Sequence, residues 1–375
     1  MQDKATDSDR RAFLAGATAT AAVLGLPAAQ AQVGTRAVAQ ADAITMAAQM
    51  RKGDVTPLEA LDAAIARVEA LPKLNAVVIK DYELAREHAK KLSAIGRDAR
   101  KQATDKAPLW GLPFVLKDLG LSMAGTVTSN GCRFFKDAVA SQDSTLVMRY
   151  KAAGLNIFGK TASPEFGMTT TTESKLYGIT PNPWNTGHTA GGSSGGTAAV
   201  VAAGILPVGH ASDGGGSIRI PAAHCGLFGL KPSRGRVPAG PGALDGATGL
   251  SVNHVISRSV RDTALLLDLS AGPEFGSRVR PPSDVPRGYL EAMHQPEHKL
   301  RIAVWRKNYF GIPVHAECLE AVDKAAKACE ALGHFVEEAM PELPVNEIFG
   351  GMGTGMSAGL LSAIEYREKQ LGRAV

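Results

Sequence analysis

Residues Gly191–Arg236 read GGSSGGTAAVVAAGILPVGHASDGGGSIRIPAAHCGLFGLKPSRGR. Two glycine-serine clusters bracket a run of alanine and valine, with almost no charge between them. Glycine lets backbone approach backbone closely, and serine carries a hydroxyl that both donates and accepts. Tightly packed main chain around exposed hydroxyls is the composition of a catalytic centre. The middle of the stretch, Thr197 to Leu206, reads as a helix because alanine dominates it.

Outward from this segment the chain alternates short apolar runs with helical patterns. Thr56-Pro57-Leu58-Glu59 is a capping box with proline at the first helical position, and Leu58, Leu61, Ile65 and Val68 follow at helical spacing. Asn75 to Ile79 reads as a strand, and a charged helix runs through residues 82–94. Leu112 to Leu116 is a short apolar run that delivers Lys117 and Asp118 at its end. Ser144 to Ala153 reads as a helix closed by Gly154, and Leu155 to Phe158 as a strand. Residues 272–299 lack periodicity and read as a surface excursion. Leu300 to Trp305, Ala316 to Leu332 and His334 to Val336 then read as strand, helix and strand, and Ile364 to Leu371 as a helix. This alternation predicts an α/β architecture with a covered sheet.

Residues 1–31 are expected to be an export signal and not part of the fold. Arg10-Arg11 is a twin-arginine pair before Phe13 and Leu14, and an apolar run to Leu26 leads to Ala29-Gln30-Ala31, an A-x-A cleavage form. The run is about 14 residues, short of the roughly 20 that span a bilayer. The expected product is therefore a Tat-exported, periplasmic or secreted protein, with the Tat machinery as a partner and no stable membrane insertion. The remaining 344 residues suffice for a sizeable core, and they keep the net charge of +5 because the signal is itself neutral. No lysine-arginine run accompanies the sparse aromatics, which argues against nucleic acid. The four cysteines, Cys132, Cys225, Cys318 and Cys329, show no C-x-x-C spacing and so no zinc pattern; free thiols are expected.

Three readings of the glycine-serine segment compete. A phosphate-cradling loop needs Gly-Lys-Ser/Thr after its glycines, and none follows Gly196. A nucleophile elbow fits Gly191-Gly192-Ser193-Ser194-Gly195 in letter, with Ser193 attacking and His210 or His224 as base. That motif needs a hydrophobic strand entering the serine, whereas Asn182 to Ala190 is polar and turn-forming. The third reading fits every part. GGSSGG, then SDGGGSIRIPA, then GLFGLKPSRGR resembles the signature of the amidase signature family, serine hydrolases with a Ser-Ser-Lys triad. Gly111-Leu112-Pro113 leading to Lys117-Asp118, Gly159-Lys160-Thr161 with Pro164-Glu165, and Asn182-Pro183-Trp184-Asn185 extend the likeness over roughly residues 40–340.

The resemblance implies a large mixed β-sheet covered by helices on both faces, in one domain over residues 32–375. It makes Ser217 the nucleophile, Ser193, 24 residues earlier, the bridging serine in a cis peptide, and Lys117 the terminal base. A lysine can be that base only if burial leaves it neutral. Gly214, Gly215 and Gly216, with the Ser217 amide, are expected to form the oxyanion hole. Asp213 and Arg219 are expected to brace the loop as an ion pair, Ser194 to support the triad, Cys225 to be a small buried residue, and His210 and His224 to be structural. The implied reaction is hydrolysis of a linear or cyclic carboxamide, a carbon–nitrogen bond other than a peptide bond. The partner is a small-molecule amide, with no metal or organic cofactor; the sequence leaves open whether the chain forms a homo-oligomer. The glutamyl-tRNA amidotransferase A subunits share the triad, but an export signal is at odds with a cytosolic tRNA enzyme. Family chains run past the equivalent of Val375, so the C-terminal strands are expected to be missing. A truncated, silent member is the alternative that this leaves.

Overall fold

The computed structural model describes residues 41–241, 249–283, 285–294 and 298–375. The expected export signal lies outside the described residues. In chain order the elements are α1 (Ala43–Lys52), α2 (Pro57–Ala70), β1 (Val77–Lys80), α3 (Tyr82–Ser93), α4 (Arg97–Lys106), β2 (Pro113–Lys117), α5 (Thr145–Ala152) and β3 (Asn156–Thr161). The short strands β4 (Glu173–Ser174), β5 (Gly178–Ile179), β6 (Pro181–Asn182) and β7 (Asn185–Thr189) lead to α6 (Gly195–Ala202) and β8 (Val208–Asp213). Then come α7 (Arg219–His224), β9 (Phe228–Gly229), β10 (Val252–Ser257), α8 (Val260–Ser270), α9 (Tyr289–Ala292), β11 (Arg301–Val304), α10 (Ala316–Ala331), β12 (Phe335–Glu338) and α11 (Val345–Leu371). No helix among the described residues is long and apolar enough to cross a membrane.

Local chemistry explains most of these boundaries. The capping box that opens α2 is complete: Glu59 N–H donates to Thr56 Oγ1 at 3.2 Å and Thr56 N–H to the Glu59 carboxylate at 3.0 Å. Leu61, Ile65 and Val68 on that helix are buried. The first strand starts two residues later than expected because Asn75 turns the chain with a positive φ of 48°. Gly154 ends the α5 segment at φ 93°, and a Cβ there would lie 2.5 Å from the Trp110 main chain.

The mixed α/β class expected from the alternation is the class observed. β3 forms the centre of one three-stranded sheet, antiparallel to β1 and parallel to β2; β10 forms the centre of a second, antiparallel to both β8 and β9. Strand β2 lies beside β8, yet no main-chain ladder pairs them among the described residues. The expected large mixed sheet is therefore divided along this seam, and side chains occupy the gap. Gly209 of β8 makes the approach close: a Cβ would sit 3.0 Å from Val115 Cγ2 and 2.9 Å from Thr197 Cγ2.

Apolar side chains alternate across β2, as a two-residue period requires. Val115 joins one core with Leu61, Phe158, Val200 and Ile256, while Phe114 and Leu116 join a second with Tyr150, Ile157, Val208 and Leu266. Helices α2 and α6 supply the first core and α1, α5 and α8 the second, so both faces are covered. All eight residues of α6 are buried. Its Gly196 has no room for a methyl group: a Cβ would lie 2.4 Å from the Ala162 nitrogen and 2.6 Å from its carbonyl oxygen. We expect Gly196→Ala to lower stability by about 1–3 kcal/mol or more, since backbone must move. A urea midpoint equal to wild type would contradict this packing.

Residues Glu291–Ala358 form a second compact unit. Within it β11 and β12 pair in parallel through α10, with Arg301 opposite Phe335, and Val304 and Ala326 are buried.

Candidate active site

The buried apolar strand β2 ends in Lys117, whose side chain is 0% exposed. Its Nζ donates to Ser193 Oγ at 2.7 Å and to Ser212 Oγ at 3.1 Å. Burial pushes the Lys117 ammonium down to about 7, with the Asp213 carboxylate pulling the other way. The amine can therefore lose its proton near neutrality.

Ser193 follows a cis peptide bond from Gly192. Only glycine fits at 192, because a Cβ would lie 2.4 Å from the Thr171 carbonyl oxygen. The loop is clasped by Thr172, which is 1% exposed. Thr172 Oγ1 donates to Gly191 O at 2.9 Å and accepts from Gly195 N–H at 3.0 Å, tying together the two sides of Ser193. Thr172→Val removes both bonds at nearly constant volume and leaves two buried groups unsatisfied. We expect a loss of roughly 1–3 kcal/mol in denaturant unfolding, with Thr172→Ser close to wild type. Equal stability of the valine variant would show that the clasp contributes nothing.

Strand β8 ends at Asp213, and Gly214, Gly215 and Gly216 carry the chain to Ser217, which is half-buried. The loop folds around the Asp213 carboxylate. That group accepts from Gly216 N–H at 2.7 Å, Ile218 N–H at 3.1 Å, and Arg219 Nε and Nη2 at 2.9 and 3.0 Å. Burial raises its pKa, but these hydrogen bonds outweigh the burial and hold it below the usual carboxylate range. The expected brace between Asp213 and Arg219 is present. One expectation is revised: the Gly216 amide is already used by Asp213, so it is not free to hold an oxyanion. The amides of Gly214, Gly215 and Ser217 make no hydrogen bond within the described residues.

Ser217 Oγ makes no hydrogen bond to Ser193 in this structure, so the three predicted residues form a Lys117–Ser193 pair with Ser217 outside it. Ser194 is buried, and its Oγ donates to Ser212 O at 3.2 Å, which ties the Ser193 loop to β8. Cys225 is a buried free thiol. His224 is exposed, and the Asn182 side chain donates to its carbonyl oxygen. His210 is fully buried, with Nδ1 on the Lys117 amide. Neither histidine makes a hydrogen bond to Ser193, which removes the support for an elbow with Ser193 as nucleophile. Sequence reasoning missed Ser212 and Thr172. Ser212 carried a usable signal, since two-residue periodicity puts it on the same side of β8 as His210.

A second lysine, Lys160 on β3, is also 0% exposed, and burial lowers it to about 8 against the pull of Asp118 and Asp81. Its Nζ donates to Thr128 Oγ1 at 2.5 Å. Asp118 in turn accepts from Ser129 and Gly131. This cluster contributes no hydrogen bond to Ser193 or Ser217.

The Amidase family model matches residues 59–348. The chain belongs to the amidase signature family. A 6-aminohexanoate-cyclic-dimer hydrolase of Paenarthrobacter ureafaciens is 39% identical over 307 residues, 80% of this chain and 59% of the relative. A lipoamidase of Enterococcus faecalis is 38% identical over 300 residues, 80% of this chain and 38% of that protein. Among solved structures, a 6-aminohexanoate cyclic dimer hydrolase complexed with substrate superposes with a TM-score of 0.80 at 34% identity, covering 89% of this chain and 68% of that one. A bacterial aryl acylamidase superposes equally well, with a TM-score of 0.80 at 31% identity over 88% of this chain and 67% of that one. The chain thus spans about three fifths of the length of the cyclic-dimer hydrolase that it matches.

Proposed function

We propose that this chain carries the catalytic centre of an amidase that hydrolyses a linear or cyclic carboxamide through an acyl-enzyme on Ser217. The observation that carries the reading is the 2.7 Å contact between Lys117 Nζ and Ser193 Oγ, with the lysine buried and poised near 7. A buried amine in that state accepts a proton from Ser193 as Ser193 takes one from Ser217. Ser217 Oγ then bonds to the substrate carbonyl carbon, and its oxygen gains charge facing the Gly214, Gly215 and Ser217 amides. Collapse breaks the carbon–nitrogen bond, and the proton on Lys117 returns through Ser193 to the leaving amine. Water repeats the relay to release the acid. In this scheme Ser217 turns toward Ser193 when substrate is bound, since catalytic hydrogen bonds commonly tighten only in the complex.

The relatives set the substrate class to try. One is named for a cyclic dimer of 6-aminohexanoate, one for lipoamide and one for aryl acylamides. Small carboxamides with an extended acyl chain or an aryl amine are therefore the first candidates. The twin-arginine pair at Arg10-Arg11 supports export, with the mature protein acting in the periplasm or outside the cell.

The test is a panel of cyclic and linear 6-aminohexanoate oligomers, anilides and simple carboxamides, read by amine release. Turnover of any member by wild-type protein, and none by Ser217→Ala, is expected. Folded protein that turns over none of them and is not labelled by a fluorophosphonate would overturn the reading in favour of a silent chain.

A further inference from the structure

We propose that His210 is a positioning residue that stations Lys117 across the seam between the two sheets; this rests on the reading of Lys117 as the base. Lys117 closes β2 in one sheet, while Ser212, Asp213 and the loop to Ser217 grow from β8 in the other. No main-chain ladder fixes one strand against the other, so the distance from lysine to serine depends on whatever fills the seam.

Three side chains fill it. Lys117 N–H donates to His210 Nδ1 at 3.1 Å. Thr197 Oγ1 donates to His210 O at 2.7 Å, and Thr161 Oγ1 lies 3.2 Å from Leu116 O and 2.7 Å from Thr197 Oγ1. The two threonines link main-chain carbonyls of β2 and β8, but of the three side chains only the imidazole bonds the lysine's own N–H. Its other nitrogen, Nε2, faces Asn253 Oδ1 of β10 at 3.2 Å. An amide oxygen can only accept, so Nε2 carries the proton and Nδ1 is left as the acceptor that Lys117 N–H requires. The Tyr150 ring packs edge-on against the imidazole at 6.2 Å between centroids.

The electrostatics agree with a fixed neutral ring. Burial pushes His210 down to about 3, with the Asn253 bond opposing and Lys117, His254 and Lys160 adding to the fall. The ring therefore stays an acceptor across the whole range in which Lys117 titrates. The charged and titratable groups facing this pair are Asp213 on β8, Lys160 on β3, His254 on β10 and Tyr150 on α5.

The experiment follows the Lys117 side chain directly, by the pH dependence of its ¹³Cε resonance in lysine-labelled protein, assigned with Lys117→Arg. Wild type should titrate near 7. His210→Leu keeps an apolar body but removes the acceptor, opens the seam to water and should raise the midpoint by about one unit or more. His210→Asn places an oxygen where Nδ1 stood and should restore it. Asn253→Leu frees the ring without touching the seam and should move the midpoint in the same direction by less, which keeps the test open if His210→Leu does not fold. An unmoved midpoint in folded His210→Leu or, should that variant not fold, in Asn253→Leu overturns the proposal, and so does an asparagine variant displaced as far as the leucine one. The titration needs no turnover. Absence of fluorophosphonate labelling in wild type would fall on the amidase reading, and an unmoved lysine would fall on His210.

Discussion

Ser217→Ala is expected to reduce amide turnover on the order of a million-fold while leaving KM within a few-fold, the pattern of a lost nucleophile with binding intact. The same variant should unfold at the wild-type denaturant concentration. Ser217 is half-buried and its hydroxyl makes no hydrogen bond among the described residues, so its removal leaves no described group unsatisfied. Ser193→Ala should also be severely impaired, but with a different cause: it breaks the contact to Lys117 and leaves that amine with Ser212 alone. A Ser217→Ala protein with ordinary turnover, and a Ser193→Ala protein with none, would move the nucleophile to Ser193 and undo the assignment.

Lys117→Met is the second large effect, expected to cost about 100- to 10,000-fold in turnover, the range that positioned proton transfer supplies. Wild-type activity should rise with pH through about 7 as Lys117 becomes neutral, and the methionine variant should lose that limb. Stability carries the same signature with a definite sign. The folded lysine has a lower pKa than the unfolded one, so the unfolded chain binds more protons between about 7 and roughly 10.4, and stability rises with pH across that window. Below it both states are protonated and the cost of the buried charge is fully present. The methionine variant should show a flatter stability profile there and should be no less stable than wild type at pH 6. Activity and stability that both ignore pH between 6 and 9 in the wild type would contradict a lysine buried in this state.

What the sequence carried was local chemistry. The Thr56–Glu59 box, the short apolar run Leu112 to Leu116 and the alanine-rich α6 each fix their element through interactions within a few residues, and each was legible. So was the Asp213–Arg219 brace, whose two residues lie six apart on one short loop. The segments that went unread are those whose partners are remote. Strand β10 shows no clean alternation, since Val252, His254, Val255, Ile256 and Ser257 are all buried while Asn253 alone is less so. Helix α4 is charged around most of its circumference, with Thr104 its buried residue, and offers little periodicity to detect. Where β2 faces β8 the Lys117 N–H meets a histidine ring and not a backbone acceptor, and no local pattern encodes that. In the candidate site, motif order singled out Lys117, Ser193 and Ser217, but not that Gly216 N–H is held by Asp213 or that Ser212 shares the lysine.

Acylation of Ser217 with Lys117 as the base leaves a covalent trace. The direct measurement is peptide mapping by mass spectrometry after acid quenching of protein incubated with an anilide or activated ester of a 6-aminohexanoate. An acyl adduct is expected on the peptide containing Ser217, absent in Ser217→Ala, and forming in wild type with a rate that rises through about pH 7. An adduct on Ser193, or one on Ser217 that forms equally fast in Lys117→Met at pH 8, would contradict it.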